Sequence, residues 1–168
     1  VVRSLVYASA DGAAQRSAHA ALAAALPGDV DLDRRAWHRA AATEGPDEEV
    51  AAMLEDAANR ASGRGGQAAA AAALERAAHL SPSPAEAARR FHDASRATFW
   101  AGDAGAALEL ARRGLGIAED PGLRADLDAA AERIRELAAQ LVVYGAEVEL
   151  PTESDAEKVE ILKRAITN

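Results

Sequence analysis

The sequence predicts an all-α protein in which antiparallel helical hairpins form a right-handed stack, as in an α-solenoid. Alanine supplies 47 of the 168 residues, and alanine is the best helix former and loses no side-chain entropy on burial. Helix-breaking residues recur at a nearly constant period, because Pro46, Pro84 and Pro121 are spaced by 38 and 37 residues. Gly65 and Gly102 are likewise 37 residues apart. A repeated pair of helices of this length is typical of a stacked helical array.

Caps and breakers predict the individual helices in order. The predicted helices cover residues 3–10, 13–26, 34–43, 46–64, 67–80, 84–101, 104–117 and 123–141. Aspartate, glycine and proline residues between these segments supply the breaks. Pro46 is expected at the first helical position, where its missing N–H leaves no bond unmade. Ser83 and Glu86 are expected to form a capping box at the start of the helix over residues 84–101.

The chain divides into three predicted segments. Residues 1–44 form N-terminal helices, residues 45–141 carry the repeats (about 46–82, 84–119 and 121–141), and residues 142–168 form a divergent acidic tail. The tail differs in composition, because it contains both lysines of the chain and only three of its alanines. Residues 141–150 (LVVYGAEVEL) alternate in part between apolar and acidic residues, which predicts a short β-like segment. A second capping box at residues 154–157 predicts a short helix that reaches residue 166.

Successive predicted helix pairs match the tetratricopeptide pattern of large and small residues. The slots of the first copy are Leu54, Ala57, Ala58, Ala61, Ala70, Leu74, Ala77 and Pro82. The slots of the second copy are Phe91, Ala94, Ser95, Thr98, Ala107, Ala111, Gly114 and Glu119. A third first helix supplies Leu127, Ala130, Ala131 and Ile134. Small side chains let the paired helices approach closely, and stacking of the pairs supplies the core.

Composition and charge argue against several classes of protein. The chain has no cysteine, which excludes disulfides, thiol nucleophiles and cysteine metal sites, and its net charge of −8 argues against direct nucleic acid binding. No apolar run approaches the length of a membrane span and no signal peptide is recognisable, so we expect a cytoplasmic location without membrane contact. The four histidines lie at no metal-binding spacing, and no catalytic set of residues is recognisable. We therefore expect a protein that is not an enzyme and holds no cofactor or metal.

Three runs of sequence resemble the region that follows the ATPase module in large ATP-binding transcription regulators of the LuxR type (MalT-like). They are VRSLVYASA with AHAALAAAL (residues 2–10 and 18–26), RAWHRAAA (35–42), and the stretch from GPDEEVA to LERAAHLSP (45–82). The resemblance covers about residues 1–140. It implies that residues 1–10 end a winged-helix segment and that the rest begins an array that receives an effector. The phosphate-binding loop and the DNA-reading helix-turn-helix of that family do not occur in these 168 residues, so ATP hydrolysis and promoter binding are not transferred.

One predicted helix face gathers the candidate partner-binding residues. The candidates are Arg89, His92, Arg96, Trp100, Asn59 and Glu132. The first four are spaced by three or four residues, which places them on one side of a helix. In a stack of helical hairpins that side faces the concave groove, where arginine can bind a carboxylate and Trp100 can stack. The alternative is a solvated face on which the arginines pair with Asp128 and Glu132.

These features predict a non-catalytic, signal-sensing segment of a LuxR-type ATP-dependent regulator, which binds a protein or small-molecule effector in the concave groove. The alternative is a free-standing tetratricopeptide-like adaptor or dimerisation module unrelated to transcription, and a homo-oligomer is compatible with either function. Trp37 lies on the short helix over residues 34–43. We expect it to pack between the N-terminal helices and the first repeat.

Overall fold

The described part of the chain is entirely helical. A computed structural model describes residues 10–27 and 31–143, with side chains for residues 10–27 and 31–140. The described residues form seven helices and no strand: α1 (Gly12–Ala25), α2 (Leu32–Ala42), α3 (Glu48–Gly63), α4 (Gln67–Leu80), α5 (Pro84–Trp100), α6 (Ala104–Ile117) and α7 (Pro121–Val143). The all-α class predicted from the sequence is therefore confirmed for these residues. None of the described helices is both long enough and apolar enough to cross a bilayer.

Local caps explain where the helices begin. The side chains of Asp11, Asp47, Ser83, Asp103 and Asp120 each accept a hydrogen bond from the backbone N–H three residues later. Such caps satisfy N–H groups that have no partner inside the helix. The prediction that Pro46 occupies the first helical position is wrong. Asp47 takes the cap position, with Oδ1 3.1 Å from the Val50 nitrogen, so Pro46 lies outside α3.

The last helix is longer than the sequence suggested. The prediction of a β-like segment over residues 141–150 is wrong at its start, because residues 141–143 are the last residues of α7. Adding a residue to an existing helix is easier than nucleating a new element, which explains the extension. Residues 144–150 and the predicted helix over residues 154–166 lie outside the described residues. So does the predicted helix over residues 3–10, except for Ala10, which is not helical.

The core is built from the residues on the repeat slots. Each helix packs against the next helix in sequence, and α5 also contacts α7. Every slot of the first two copies is buried except the terminal breakers Pro82 and Glu119. In the third copy Leu127, Ala131 and Ile134 are buried and Ala130 is partly buried. Because most of these residues are alanine, neighbouring helices lie close together with little side-chain volume between them.

Two short turns repeat with the same backbone geometry. Gly65 lies between α3 and α4 with φ of 78°, and Gly102 lies between α5 and α6 with φ of 98°. Both values are in the left-handed region, where a side chain is strained and glycine is not. The 37-residue spacing of these two glycines therefore corresponds to two equivalent hairpin turns.

Candidate functional site

The exposed face of α5 lies between two grooves. The α3–α5 groove has a volume of about 430 Å³, and the α5–α7 groove has a volume of about 440 Å³. Polar and aromatic groups of the α3–α5 groove come from Glu55, Asn59, Ser62, Gln67, Asp93, Arg96 and Trp100. The α5–α7 groove is lined by residues that include His92, Arg96, Phe99, Trp100, Ile134 and Leu137. Arg96 and Trp100 therefore stand on a ridge that both grooves share.

The ridge presents side chains that make few contacts within the protein. Trp100 is 69% exposed, and its ring meets the edge of Phe99 at a centroid distance of 5.7 Å. Arg96 and Asn59 are exposed, and among the described residues their side chains have no hydrogen-bond or ion-pair partner. An exposed indole beside an available guanidinium and an available amide can stack on, pair with and hydrogen-bond a ligand.

Arg89 is bound to carboxylates of the protein, whereas its helical spacing predicted a side chain available to a partner. Its Nη1 and Nη2 atoms lie 2.8 and 2.9 Å from the two carboxylate oxygens of Glu55 on α3. The same guanidinium also donates to Glu86 at 2.9 and 3.0 Å and to Asp93 at 3.3 Å. These bonds raise the pKa of Arg89, with the hydrogen bond to Glu55 as the largest cause. The donors of Arg89 are engaged inside the protein, so the structure separates it from the ridge residues Arg96 and Trp100.

The neighbouring Arg90 is the buried centre of this ion-pair network. It is 2% exposed, and its Nη atoms donate to Glu48 at 2.6 and 3.0 Å and to the Ser81 hydroxyl at 2.6 Å. Its Nε donates to Glu55 at 2.9 Å. Hydrogen bonds from Arg90 lower the pKa of Glu48, and those from Arg89 and then Arg90 lower the pKa of Glu55. We call Arg89, Arg90, Glu48, Glu55 and Ser81 the Arg90 cluster.

Sequence reasoning did not single out Arg90, although a signal was present. Arg90 lies three residues after Ala87 and four before Ala94, and both alanines are buried on the same face of α5. An arginine at such a position needs carboxylates from a neighbouring helix. Helix α3, which lies two helices earlier in the chain, supplies Glu48 and Glu55 at a spacing of seven residues, which is two helical turns.

The two remaining candidates occupy different places. His92 lines the α5–α7 groove and is largely buried, with its Nδ1 3.4 Å from Oδ1 of Asp93. Glu132 is exposed and pairs with Arg135 of its own helix at 2.8 Å. The α5–α7 groove is lined by Ala129, Ala130 and Arg133 of α7, and not by Glu132. The expected pairing of α5 arginines with Asp128 and Glu132 is not observed among the described residues, because α7 turns a neighbouring strip of its surface towards α5.

Two histidines that are distant in sequence meet between α1 and α2. The Nδ1 atoms of His19 and His38 are 2.8 Å apart, so the Nδ1–H of one ring donates a hydrogen bond to the Nδ1 of the other, which carries no hydrogen. Burial lowers the pKa of His38, and the charges of His19 and Arg34 lower it further. Helical spacing within one segment cannot reveal a contact across 19 residues. No group of three or more potential metal ligands exists among the described residues.

Comparison with known proteins identifies no relative. No family model, no curated protein and no solved structure matches the chain. The functional assignment therefore rests on the side chains and on the two grooves.

Proposed function

We propose that this chain is a non-catalytic interaction segment, which binds a protein or small-molecule effector on the ridge between the two grooves. We further propose that it acts as the signal-sensing part of a LuxR-type ATP-dependent transcription regulator in the cytoplasm. The resemblance of about residues 1–140 to such regulators supports the second proposal. The position of Arg96 and Trp100 supports the first.

We infer that the helices form a tetratricopeptide-like, right-handed stack. In such a stack the ridge lies on the concave surface. Burial of the repeat slots and the packing of each helix on its sequence neighbour support this arrangement. The contact between α5 and α7 supports it further, because first helices of successive pairs adjoin in such stacks. In this arrangement α3, α5 and α7 supply the binding face.

The single observation that carries the proposal is the exposed Trp100 beside the available Arg96. Exposing a large aromatic side chain forgoes the free energy that its burial would contribute. Tryptophan and arginine are also the residues most enriched among those that dominate binding energy at interfaces. An effector that buries the indole and pairs with the guanidinium would use both properties.

The test compares ridge variants with a matched variant on another helix. We expect Trp100→Ala and Arg96→Gln to weaken effector binding about tenfold or more each, equal to about 1.4 kcal/mol, because each removes an anchor of the interface. Arg112→Gln is the matched control, because Arg112 is an exposed arginine of α6 that pairs with Glu109 of the same helix. Affinity capture with the full chain identifies the effector, and isothermal titration measures its affinity. Unchanged affinity in both ridge variants, with unchanged circular dichroism, would contradict the proposal.

A free-standing adaptor or dimerisation module is the second candidate, and the N-terminal helices favour it. Leu22 on α1 is 49% exposed and Trp37 on α2 is 41% exposed, although Trp37 was expected to pack. Exposed apolar side chains of this size can contribute to an association surface. Light scattering of the wild-type chain and of Leu22→Asp distinguishes the candidates. A dimer that Leu22→Asp dissociates would favour the module.

A further inference from the structure

The α5–α7 groove has an apolar end beside the ridge. Along α7 its lining residues change from two alanines to Ile134 and Leu137. On α5, Phe99 packs against the apolar cluster that contains Ile134, and the ring of Trp100 meets the edge of Phe99. Ile134 is buried and Phe99 and Leu137 are partly buried, so these three side chains form the floor of the groove. The exposed indole of Trp100 stands beside this floor.

Two arginines from different helices line the same groove. Arg96 lies four residues before Trp100 on α5, and its guanidinium has no hydrogen-bond or ion-pair partner among the described residues. Arg133 precedes Ile134 on α7 and pairs with Glu136 of its own helix at 3.2 Å. Both members of this pair are more than 60% exposed, and such pairs contribute little stability. Both arginines can therefore accept a new carboxylate partner.

The acidic group of the groove lies away from these cations. Asp126 is the one carboxylate in the described lining, and it precedes Arg133 by seven residues, which is about 10 Å along the axis of α7. His92 also lines the groove, but its Nδ1 faces Asp93 at 3.4 Å. The apolar end is therefore locally basic, although the net charge of the chain is −8.

The size of the apolar floor favours a small molecule over an acidic helix. Ile134 and Leu137 are separated by about 5 Å along α7, whereas a bound amphipathic helix uses anchors over about 10 Å or more. An acidic helix of that length would also bring carboxylates towards Asp126. The groove volume of about 440 Å³ lies within the range of about 300–1,000 Å³ that is typical of small-molecule sites.

We propose that the α5–α7 groove binds a small aromatic carboxylate. The ring of the ligand lies on Phe99 and Ile134 and against the indole of Trp100, where aromatic contacts are favourable. The carboxylate pairs with Arg96 and with Arg133, because guanidinium groups bind carboxylates through charge-assisted hydrogen bonds. The proposal rests on the proposed function, since it names the chemical class of the effector that the ridge binds.

The test uses 2-naphthoate as the probe and 2-naphthamide as its uncharged counterpart. In the full chain carrying Trp37→Phe, Trp100 is the sole tryptophan, so its indole N–H gives one NMR signal that reports on the groove. We expect 2-naphthoate to shift this signal with a dissociation constant of about 1 mM or lower. We expect 2-naphthamide to bind about fivefold more weakly or less, because it has no charge to pair with the arginines.

Substitution of Arg133 locates the ligand in this groove. Arg133→Gln should weaken 2-naphthoate binding about fivefold and leave 2-naphthamide binding unchanged. Arg112→Gln is the matched control, because Arg112 pairs with Glu109 on α6, and it should leave both affinities unchanged. Equal affinity for the two probes would overturn the proposal. So would a 2-naphthoate affinity that falls in Arg96→Gln and not in Arg133→Gln, since Arg96 also lines the α3–α5 groove.

Failure of this proposal is distinguishable from failure of the proposed function, because Arg133 is not one of the ridge variants used there. If 2-naphthoate does not bind while Trp100→Ala and Arg96→Gln still weaken effector binding, the ligand class alone is overturned. A captured protein effector that loses affinity in Arg133→Gln and is not displaced by 2-naphthoate would also overturn it, because a polypeptide would then occupy the groove. Unchanged effector affinity in both ridge variants would instead contradict the proposed function.

Discussion

At the scale of single residues, the Arg90 cluster has the largest energetic consequence. A guanidinium that is 2% exposed must replace its lost hydration with protein partners, and Arg90 does so with two carboxylates and a hydroxyl. Glu55 is shared with Arg89, so one carboxylate of α3 holds two adjacent arginines of α5. The cluster therefore fixes how the first hairpin sits against the second.

Replacing Arg90 should destabilise the protein strongly. We expect Arg90→Met to lower the free energy of unfolding by about 2 kcal/mol, because the change removes the charged hydrogen bonds that Glu48, Glu55 and Ser81 accept from Arg90. Urea unfolding followed by circular dichroism measures the effect. Arg112→Met should change stability by less than about 0.5 kcal/mol, because Arg112 is an exposed arginine of α6. Similar losses of unfolding free energy in the two variants would show that the buried cluster stabilises the protein no more than an exposed ion pair does.

The candidate site could be predicted from the sequence only in part. His92, Arg96 and Trp100, which helical spacing places on one side of α5, line the grooves beside that helix. It could not show that Arg89 is engaged with Glu55, because that bond depends on how α3 and α5 are aligned. Likewise, Arg133 lines the α5–α7 groove and Glu132 does not. Which of these two neighbours faces α5 depends on the rotation of α7 about its axis, and local sequence patterns do not specify that rotation.

At the scale of helices, local signals explain most of what was predicted. The bounds of α4 and α6 match their predictions, because glycine turns and polar caps lie immediately beside them. The error at Pro46 arose because two adjacent residues could each start α3, and the carboxylate of Asp47 accepts a hydrogen bond from the Val50 N–H. The end of α7 was missed because no breaker lies before Gly145. Predictions were therefore weakest where two local signals compete.

The contact between α1 and α2 should depend on pH through the His19–His38 pair. The pKa of His38 is lowered by burial and by nearby positive charge, from a usual value of 6.5. A lowered pKa means that the unfolded state takes up the proton first as the pH falls. The stabilising contribution is therefore complete above pH 6.5 and is lost as the pH falls from 6.5 through the lower pKa of the folded state.

Hydrogen exchange of α1 checks this expectation. Exchange of α1 amides, corrected for intrinsic rates, should become faster between pH 7.5 and pH 5.5, since local opening reports the stability of the α1–α2 contact. His38→Gln should remove most of this pH dependence because it removes the titrating group. His79→Gln should retain it, because His79 lies on α4 beside Phe91, away from the pair. A pH dependence that survives His38→Gln would contradict the assignment.

At the scale of the whole molecule, the core consists mainly of alanine. Close helix packing, rather than large side chains, excludes water from this core. At Gly114 the helices are so close that even a methyl group does not fit without a shift. A methyl group added there would lie 2.9 Å from Cδ2 of Leu127 on α7 and 3.3 Å from Cβ of Phe91 on α5. Burial of the repeat slots was predictable because the pattern requires small residues there. The absence of strands among residues 10–27 and 31–143 agrees with the low strand preference of alanine.

Enlarging the core should destabilise the protein although it adds apolar surface. We expect Ala94→Leu to lower the free energy of unfolding by about 1–3 kcal/mol, because Ala94 is fully buried and the helices must move apart. Thermal and urea unfolding measure the change. Ala72→Leu is the control, since Ala72 is exposed on α4 and should tolerate leucine within about 0.5 kcal/mol. A stabilised Ala94→Leu variant would show that the core contains unfilled space.

The Arg90 cluster also has a consequence for the lifetime of the folded state. The bonds of Arg90 join residues separated by 9, 35 and 42 positions, so they close only after α3, the α4–α5 connection and α5 have met. Contacts that form after the folding transition state slow unfolding without changing the folding rate. Because these bonds join distant parts of the sequence, we expect them to form late in folding, so that Arg90 lengthens the lifetime of the assembled hairpins more than it speeds their assembly.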